Sequence, residues 1–162
     1  MKLRDKIIGH IVHGFTLPLI RPLVKKDALP FPASAYAFYP EGSLGKDLYD
    51  FLRLHKYTLI PHFETHDVKH VLLGYGVTGK DEGCMQFFYI GNRHYSAATI
   101  MTAISSIFLF PESLSAFYKA FLRGRKALPL GKLRLAEMLL CQTAELRLRF
   151  SIPFDHLKKQ EP

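Results

Sequence analysis

Two histidines, an aspartate and a glutamate share one stretch of the chain, "THDVKHVLLGYGVTGKDE", residues 65–82. In an α-helix each residue advances about 100° around the axis, so His66, Asp67 and His70 fall within one arc of about 100°. Imidazole nitrogens and a carboxylate oxygen on one arc can bind a single divalent cation at about 2.0–2.2 Å. Glu82 follows after a glycine-containing turn, and an antiparallel helical hairpin would bring it beside the first helix as a further ligand.

A third histidine competes for the role of ligand. His62 also stands four residues before His66. On one helix His62 and His70 would lie about 12 Å apart along the axis, too far to bind the same ion. Pro61 places His62 in a first turn or a loop, and the pair His66 and His70 has the aspartate on its arc, so we favour that pair.

The residues alone leave other interpretations open. His66 and His70 could be solvent-exposed or capping residues, with "KDE" a charged turn. A HExxH metalloprotease fits poorly, because Asp67 stands where the catalytic glutamate would be and no third ligand has the usual spacing. The doublet "HD" is typical of metal-dependent phosphohydrolases, but their separate upstream histidine and downstream aspartate are not evident.

The pattern His66-Asp67-x-x-His70, eleven residues and then Glu82 resembles the HDxxH-x11-E signature of the coenzyme Q (ubiquinone) biosynthesis protein four family. The surrounding "FETHDVKHVLLGYG" and the helical pattern after it are similar to that family too. The resemblance implies that His66, Asp67, His70 and Glu82 bind one divalent metal ion. Zinc is expected first, with magnesium, manganese and iron as alternatives.

The resemblance also implies a function. Members of the family are all-helical, peripheral on membranes and commonly homodimeric, and they bind a prenylated lipid in an apolar tunnel. The implied activity is a metal-dependent oxidative decarboxylation at carbon 1 of a polyprenylated hydroxybenzoate-type ring, which would make the protein a lyase. The alternative is a non-catalytic scaffold that binds a prenyl lipid and organises a quinone-biosynthesis complex. Other quinone-biosynthesis enzymes are the expected partners, and another prenylated quinone or isoprenoid could be the ligand.

The elements that must position these residues are helical. Hydrophobic residues at helical spacing predict an all-α, single-domain bundle of about six or seven helices over residues 1–162, and Val-rich alternating runs are nearly absent. Ser43, Thr65 and Pro111 are expected at helix starts. The segment 27–42 carries three prolines and predicts a loop. The predicted helices are 43–57, 65–76, 81–92, 94–110, 111–127 and 130–150.

Large apolar side chains near the motif are candidates for a lipid site. The runs "MQFFYI" and "IFLF" supply more of them than one small core needs, although each could equally belong to the core or to a dimer interface. The lipid-binding candidates are Phe87, Phe88, Ile107, Phe108 and Phe110.

Charge and composition narrow the partners and the location. The formal net charge of +8 favours anionic partners. The basic clusters at 123–126 and 132–134 flank apolar segments, which favours an anionic membrane surface over nucleic acid. We expect no secretory signal in residues 1–15, and no transmembrane helix, because 96–110 is shorter than the roughly 20 residues of a span. Cys84 and Cys141 are expected to be buried thiols in a reducing compartment, so we predict a cytoplasmic protein on the inner face of a bacterial membrane.

Overall fold

The computed structural model describes residues 29–59, 64–130 and 134–153, and within these ranges the chain is an all-α bundle without a β-strand. This confirms the predicted fold class. The α-helices are α1 (Leu44–His55), α2 (Glu64–Leu73), α3 (Gly79–Gly91), α4 (Ala97–Leu109), α5 (Leu114–Lys126) and α6 (Thr143–Arg149). Short 3-10 helices cover Ala33–Phe38, Pro111–Ser113 and Leu135–Met138.

The helix starts follow local chemistry. Ser43 caps α1, as predicted, because its side chain accepts a hydrogen bond from Lys46 N. Pro111 begins the 3-10 turn that leads into α5, where a missing N–H costs nothing. Thr65 was expected to be a cap, but it lies inside α2, which begins at Glu64.

The C-terminal segment 130–150 was predicted as one helix, and that prediction is wrong. Residues 131–133 lie outside the described ranges, and the described rest of the segment forms a 3-10 turn and the seven-residue α6, with an extended connection at Gln142 between them. The carbonyls of Leu139 and Cys141 accept hydrogen bonds from Gly45 N at 2.8 Å and Leu44 N at 2.9 Å, which are the first N–H groups of α1. Because these carbonyls accept hydrogen bonds from the start of α1, they do not accept the i+4 hydrogen bonds that a continuous helix at 130–150 would need.

Helix α3 is the central element of the second half of the bundle. It packs most extensively against α5 and also against α4. The crossing with α5 is close, since a Cβ added to Gly124 would lie 2.0 Å from the carbonyl oxygen of Phe88, and one added to Gly91 would lie 2.0 Å from that of Phe121. The two glycines therefore let the backbones touch and fix the position of α3.

The main core lies between α1, α2, α3 and α6. Tyr36, Leu48, Leu72 and Phe88 are among its fully buried members. Tyr36 comes from the 3-10 helix within the proline-containing segment 27–42, and its hydroxyl donates to Phe31 O at 2.9 Å. Residues 29–42 of that segment thus form an ordered cover over the core.

Several expectations fall outside the described ranges: residues 1–15, residues 27 and 28 of the proline-containing segment, and His62. Of the two cysteines, Cys84 is buried as expected, whereas Cys141 is exposed. No described helix is by itself long and apolar enough to cross a bilayer; Ala97–Leu109 and Pro111–Lys126 pass that test of length and composition only as a pair bent by 107°.

Candidate metal centre

Three of the four predicted ligands converge. His66 and His70 lie one turn apart on α2, and Glu82 lies in the first turn of α3. Glu82 Oε1 is 2.8 Å from His70 Nε2 and 3.1 Å from His66 Nε2, and the two ring nitrogens are 3.1 Å apart. Two imidazole nitrogens from α2 and one carboxylate oxygen from α3 therefore meet at a common point.

Local sequence explains how Glu82 reaches α2. The five residues 74–78 connect α2 to α3, and Gly74 takes a left-handed conformation at φ 70° that ends α2. Thr78 and Asp81 then form a capping box, in which each side chain accepts from the other residue's backbone N–H. The box fixes the first turn of α3, and Glu82 lies in that turn, directly after Asp81.

The spacing of the three ligand atoms fits a small divalent cation. Ligands bound tetrahedrally at about 2.0–2.1 Å from zinc are about 3.3 Å apart. The observed separations of 2.8–3.1 Å are slightly tighter. Two imidazoles and one carboxylate are also a donor set that suits zinc and similar ions. The residues present thus fit a metal ion with at least one position left for another ligand.

Hydrogen bonding at the far side of His70 strengthens this reading. His70 Nδ1 is 3.4 Å from the carbonyl oxygen of Tyr75, which can only accept, so this hydrogen bond forms when Nδ1 carries the proton. In neutral His70, Nε2 then bears a lone pair that faces Glu82 Oε1. Two acceptors 2.8 Å apart repel each other unless a proton or a cation lies between them. Metal-binding histidines commonly have this arrangement of donor and carbonyl.

The electrostatics of the site agree with a place for positive charge. Burial alone would raise the pKa of Glu82, but the two neighbouring histidines outweigh it and hold that pKa well below its usual range. Burial likewise lowers the pKa of His70, yet Glu82 and Asp67 raise it above its usual value. A proton on His70 is therefore held more firmly than on a free imidazole, and a divalent cation would compete with that proton.

Asp67 is the predicted ligand that the structure does not bring into the group. Only His66, His70 and Glu82 offer ligand atoms that all lie within 4.8 Å of one another in the described part of the chain. Asp67 is near enough to contribute to the raised pKa of His70. The pKa of Asp67 itself is raised, mainly by burial and also by the carboxylates of Glu82 and Glu64, which together outweigh the lowering effect of the two histidines. It lies beside the group as a half-buried carboxyl.

Two arginines that bind the C-terminal end of α2 were not identified from the sequence. Arg147 donates hydrogen bonds to Val71 O at 2.8 Å and to Leu72 O at 2.9 Å, and Arg123 donates one to Leu73 O at 2.7 Å. These oxygens are the last carbonyls of α2. Cations at a helix C-terminus are favourable. Arg123 belongs to the basic cluster at 123–126, which we expect at an anionic membrane surface, but it is only 6% exposed, and nothing in its local sequence signals that it binds α2.

The apolar lipid-binding candidates separate into three groups. Phe87 and Ile107 line an apolar groove of about 320 Å³ between α3, α4 and α5. Phe88 and Phe110 are buried in the core, and Phe108 is 79% exposed. The other groove residues are Ile90, Leu114, Phe117, Tyr118 and Phe121.

Comparison with known proteins identifies a shared fold. No protein-family model matches the chain, and no curated protein matches it. Among solved structures, a protein from Nostoc punctiforme PCC 73102, provisionally named a ubiquinone biosynthesis protein, superposes with a TM-score of 0.66. The match covers 93% of this chain and 82% of that one, at 17% identity. At this identity the likeness shows the all-helical architecture alone.

Proposed function

We propose that this chain is a metal-dependent member of the coenzyme Q biosynthesis protein four family. Its proposed activity is the oxidative decarboxylation at carbon 1 of a polyprenylated hydroxybenzoate-type ring. The observation that carries the proposal is the convergence of His66, His70 and Glu82, at the spacing of the family's signature. The fold of the Nostoc protein, whose name refers to ubiquinone biosynthesis, supports the same pathway. Zinc is the first candidate for the ion, and magnesium, manganese and iron are the others.

His66, His70 and Glu82 would hold the cation. A bound cation would supply Lewis-acid polarisation of a carboxylate or phenol oxygen. The protein's own contribution is to fix the ligand geometry: Tyr75 O holds His70 by Nδ1, and the Thr78 capping box fixes the turn that carries Glu82. Half-buried Asp67 lies beside these ligands, and burial raises its pKa, which supports a role in which it would exchange a proton with the reacting ring.

The overall reaction breaks the bond between the ring and its carboxyl carbon, releases carbon dioxide and leaves a hydroxyl group on the ring. Relative to the acid plus water, two electrons and two protons are removed. Dioxygen or another two-electron acceptor must therefore take part as co-substrate.

The prenyl tail requires an apolar site. The groove lined by Phe87 and Ile107 supports the tail site, because all of its lining residues are apolar or aromatic. The exposed apolar residues of α4, among them Met101, Ile104 and Phe108, would face an anionic membrane surface or a second copy of the chain. Other quinone-biosynthesis enzymes are the proposed partners, and the proposed location is the cytoplasmic face of a bacterial membrane.

A second function is favoured by one feature of the same site. Three protein ligands and a neighbouring carboxyl could close the coordination shell, which is typical of a structural ion. The protein would then be a non-catalytic prenyl-lipid scaffold that presents its ligand to other enzymes.

The test uses a prenylated hydroxybenzoate labelled with carbon-13 at the carboxyl group, in vesicles, with air as oxidant. Wild-type protein reconstituted with each candidate ion is expected to release labelled carbon dioxide and to form the ring hydroxyl, and His66→Ala is expected to release none. Tight binding of the prenylated acid without carbon dioxide from any metal form would reject the enzyme and support the scaffold. Absence of both binding and release would reject both functions.

A further inference from the structure

Arg123 is a buried cation that the metal site does not use directly. Only 6% of it is exposed, and its Nη2 donates to Leu73 O at 2.7 Å while its Nε donates to Pro153 O at 3.1 Å. The guanidinium also lies over two aromatic rings, 5.1 Å from the centroid of Tyr75 and 5.5 Å from that of Phe88. A buried charge with directional bonds and stacked faces has one well-defined position.

The contacts of Arg123 enclose the turn that follows the metal-bearing helix. It binds the carbonyl of Leu73 and covers the ring of Tyr75, so it grips the residues on both sides of the left-handed Gly74. The backbone N–H groups of Gly74 and Tyr75 donate to His70 O at 2.7 and 3.1 Å. The turn thus folds back onto His70.

Tyr75 also reaches the imidazole itself. Its carbonyl oxygen accepts from His70 Nδ1 at 3.4 Å, and this bond decides which nitrogen of His70 is free to face Glu82. A shift of the Tyr75 carbonyl would loosen the bond and allow the other tautomer, in which Nε2 carries the proton and cannot bind a metal. The position of Arg123 is therefore connected to the ligand atom through one side chain and one peptide group.

We propose that Arg123 is a positioning residue for the metal centre: it fixes the turn at residues 73–75 so that the Tyr75 carbonyl holds His70 in the tautomer that binds metal. The inference rests on the metal site of the proposed function. Arg123 acts through His70 and touches neither the ion nor the substrate.

Arg147 provides a matched control on the same helix end. Its hydrogen bonds go to Val71 O and Leu72 O, the two carbonyls that precede the turn. Loss of either arginine leaves carbonyls of α2 unsatisfied and destabilises the protein. Only the loss of Arg123 removes the cation from over the Tyr75 ring.

The experiment compares Arg123→Met and Arg147→Met with the wild type. Zinc affinity is measured by chelator competition, and the ligand field by visible absorption of the cobalt(II) form. Arg123→Met is expected to weaken zinc about 10- to 100-fold, the range for residues that orient a metal ligand, and to change the cobalt spectrum. Arg147→Met is expected to change zinc affinity by less than about twofold, because it leaves the Tyr75 contact in place, although its melting temperature should fall about as far as that of Arg123→Met. Equal losses in the two variants would show that Arg123 acts through stability alone and would overturn the proposal.

Nitrogen-15 NMR of the histidines in the metal-free protein gives a second readout. In neutral His70 the Tyr75 carbonyl favours a proton on Nδ1 and the Glu82 carboxylate favours one on Nε2, so the Nδ1–H fraction is expected to be larger in the wild type than in Arg123→Met. Arg123→Lys keeps the charge but not the planar stacking, so it replaces the methionine variant if that variant does not fold, with the same expected direction. A wild-type tautomer and wild-type zinc affinity in the folded Arg123 variant would overturn the proposal. If the wild type binds no metal, the proposed function fails, and the tautomer still decides the role of Arg123.

Discussion

Replacing Glu82 with glutamine removes one charge from the centre of the site and nearly preserves its shape. In the metal-free protein Oε1 of Glu82 accepts from His70 at 2.8 Å and from His66 at 3.1 Å. Hydrogen bonds to a charged group contribute about 1.5–3 kcal/mol when buried, and the 31% exposure of this side chain places them at the low end. We expect Glu82→Gln to lower the free energy of unfolding by about 1–2 kcal/mol near pH 6 when no metal is present.

The pH dependence of that loss follows from two pKa shifts. The lowered pKa of Glu82 gives stability that is present above the unfolded value of 4.5 and is lost as pH falls through the folded value. The raised pKa of His70 gives stability that is present below the unfolded value of 6.5 and is lost as pH rises through the folded value. The advantage of the wild type over Glu82→Gln in chelator is therefore greatest between these two unfolded values and smaller at pH 8.5.

A bound ion reverses this trend. Structural zinc sites contribute about 10–16 kcal/mol over four ligands, so losing one charged ligand costs about 3 kcal/mol, or roughly 100-fold in affinity. Zinc competes with the proton on His70, so its affinity for the wild type rises from pH 6 toward pH 8. With zinc present, the advantage of the wild type should grow over that range.

Urea unfolding at pH 6, 7 and 8.5, with chelator and with excess zinc, measures both trends. Glu82→Ala serves as a control for loss of the side chain's volume. A stability difference with the same pH slope in chelator and in zinc would refute the reasoning, because it would mean that no ion takes the place of the proton. A glutamine variant that binds zinc as tightly as the wild type would refute the role of Glu82.

Three further predictions concern the surroundings of the site. Asp67→Asn should weaken zinc binding less than about tenfold by chelator competition, because Asp67 lies outside the converging group; a loss near 100-fold, as for Glu82, would make it a ligand. Gly124→Ala should lower the free energy of unfolding in urea by about 1–3 kcal/mol, because its Cβ would lie 2.0 Å from Phe88 O. The control Ser115→Ala, at an exposed position of α5, should change that free energy by less than about 0.5 kcal/mol. Similar stabilities of the two variants would contradict the close crossing of α3 and α5. Iodoacetamide at pH 8 should label exposed Cys141 quickly and buried Cys84 only after unfolding. Burial, with a smaller effect of Asp81, raises the pKa of Cys84 to about 11, so little of its thiol is ionised at that pH. Equal labelling of the two cysteines by mass spectrometry would contradict the burial of Cys84.

The parts of the fold that depend on local chemistry were predictable from sequence. The Ser43 cap, Pro111 at a first turn and the helical spacing of apolar residues all signal their elements within a few positions. The pairing of His66 with His70 is also local, because one helical turn separates them. Glu82 could be identified as a candidate from the glycine-containing turn before it and from its spacing in the family signature.

Other features depend on partners far away in the sequence, and local patterns cannot reveal them. The helix expected at 130–150 is interrupted because its carbonyls bind the start of α1, about a hundred residues earlier. Arg123 has the composition of a surface cluster, yet it lies buried against Tyr75 and Phe88. Asp67 shares an arc with the histidines, but the structure places its carboxylate outside the group that converges on Glu82.

His66, His70 and Glu82 are proposed to hold a divalent ion, so the metal content of the purified protein tests them together. Elemental analysis and native mass spectrometry are applied to the wild type and to His70→Ala, purified without chelators. About one divalent ion per chain is expected in the wild type, as for a single site, and none in the folded variant. A wild type that contains no metal and takes up none from added zinc, manganese, magnesium or ferrous iron would contradict the account, and so would a variant that retains its ion.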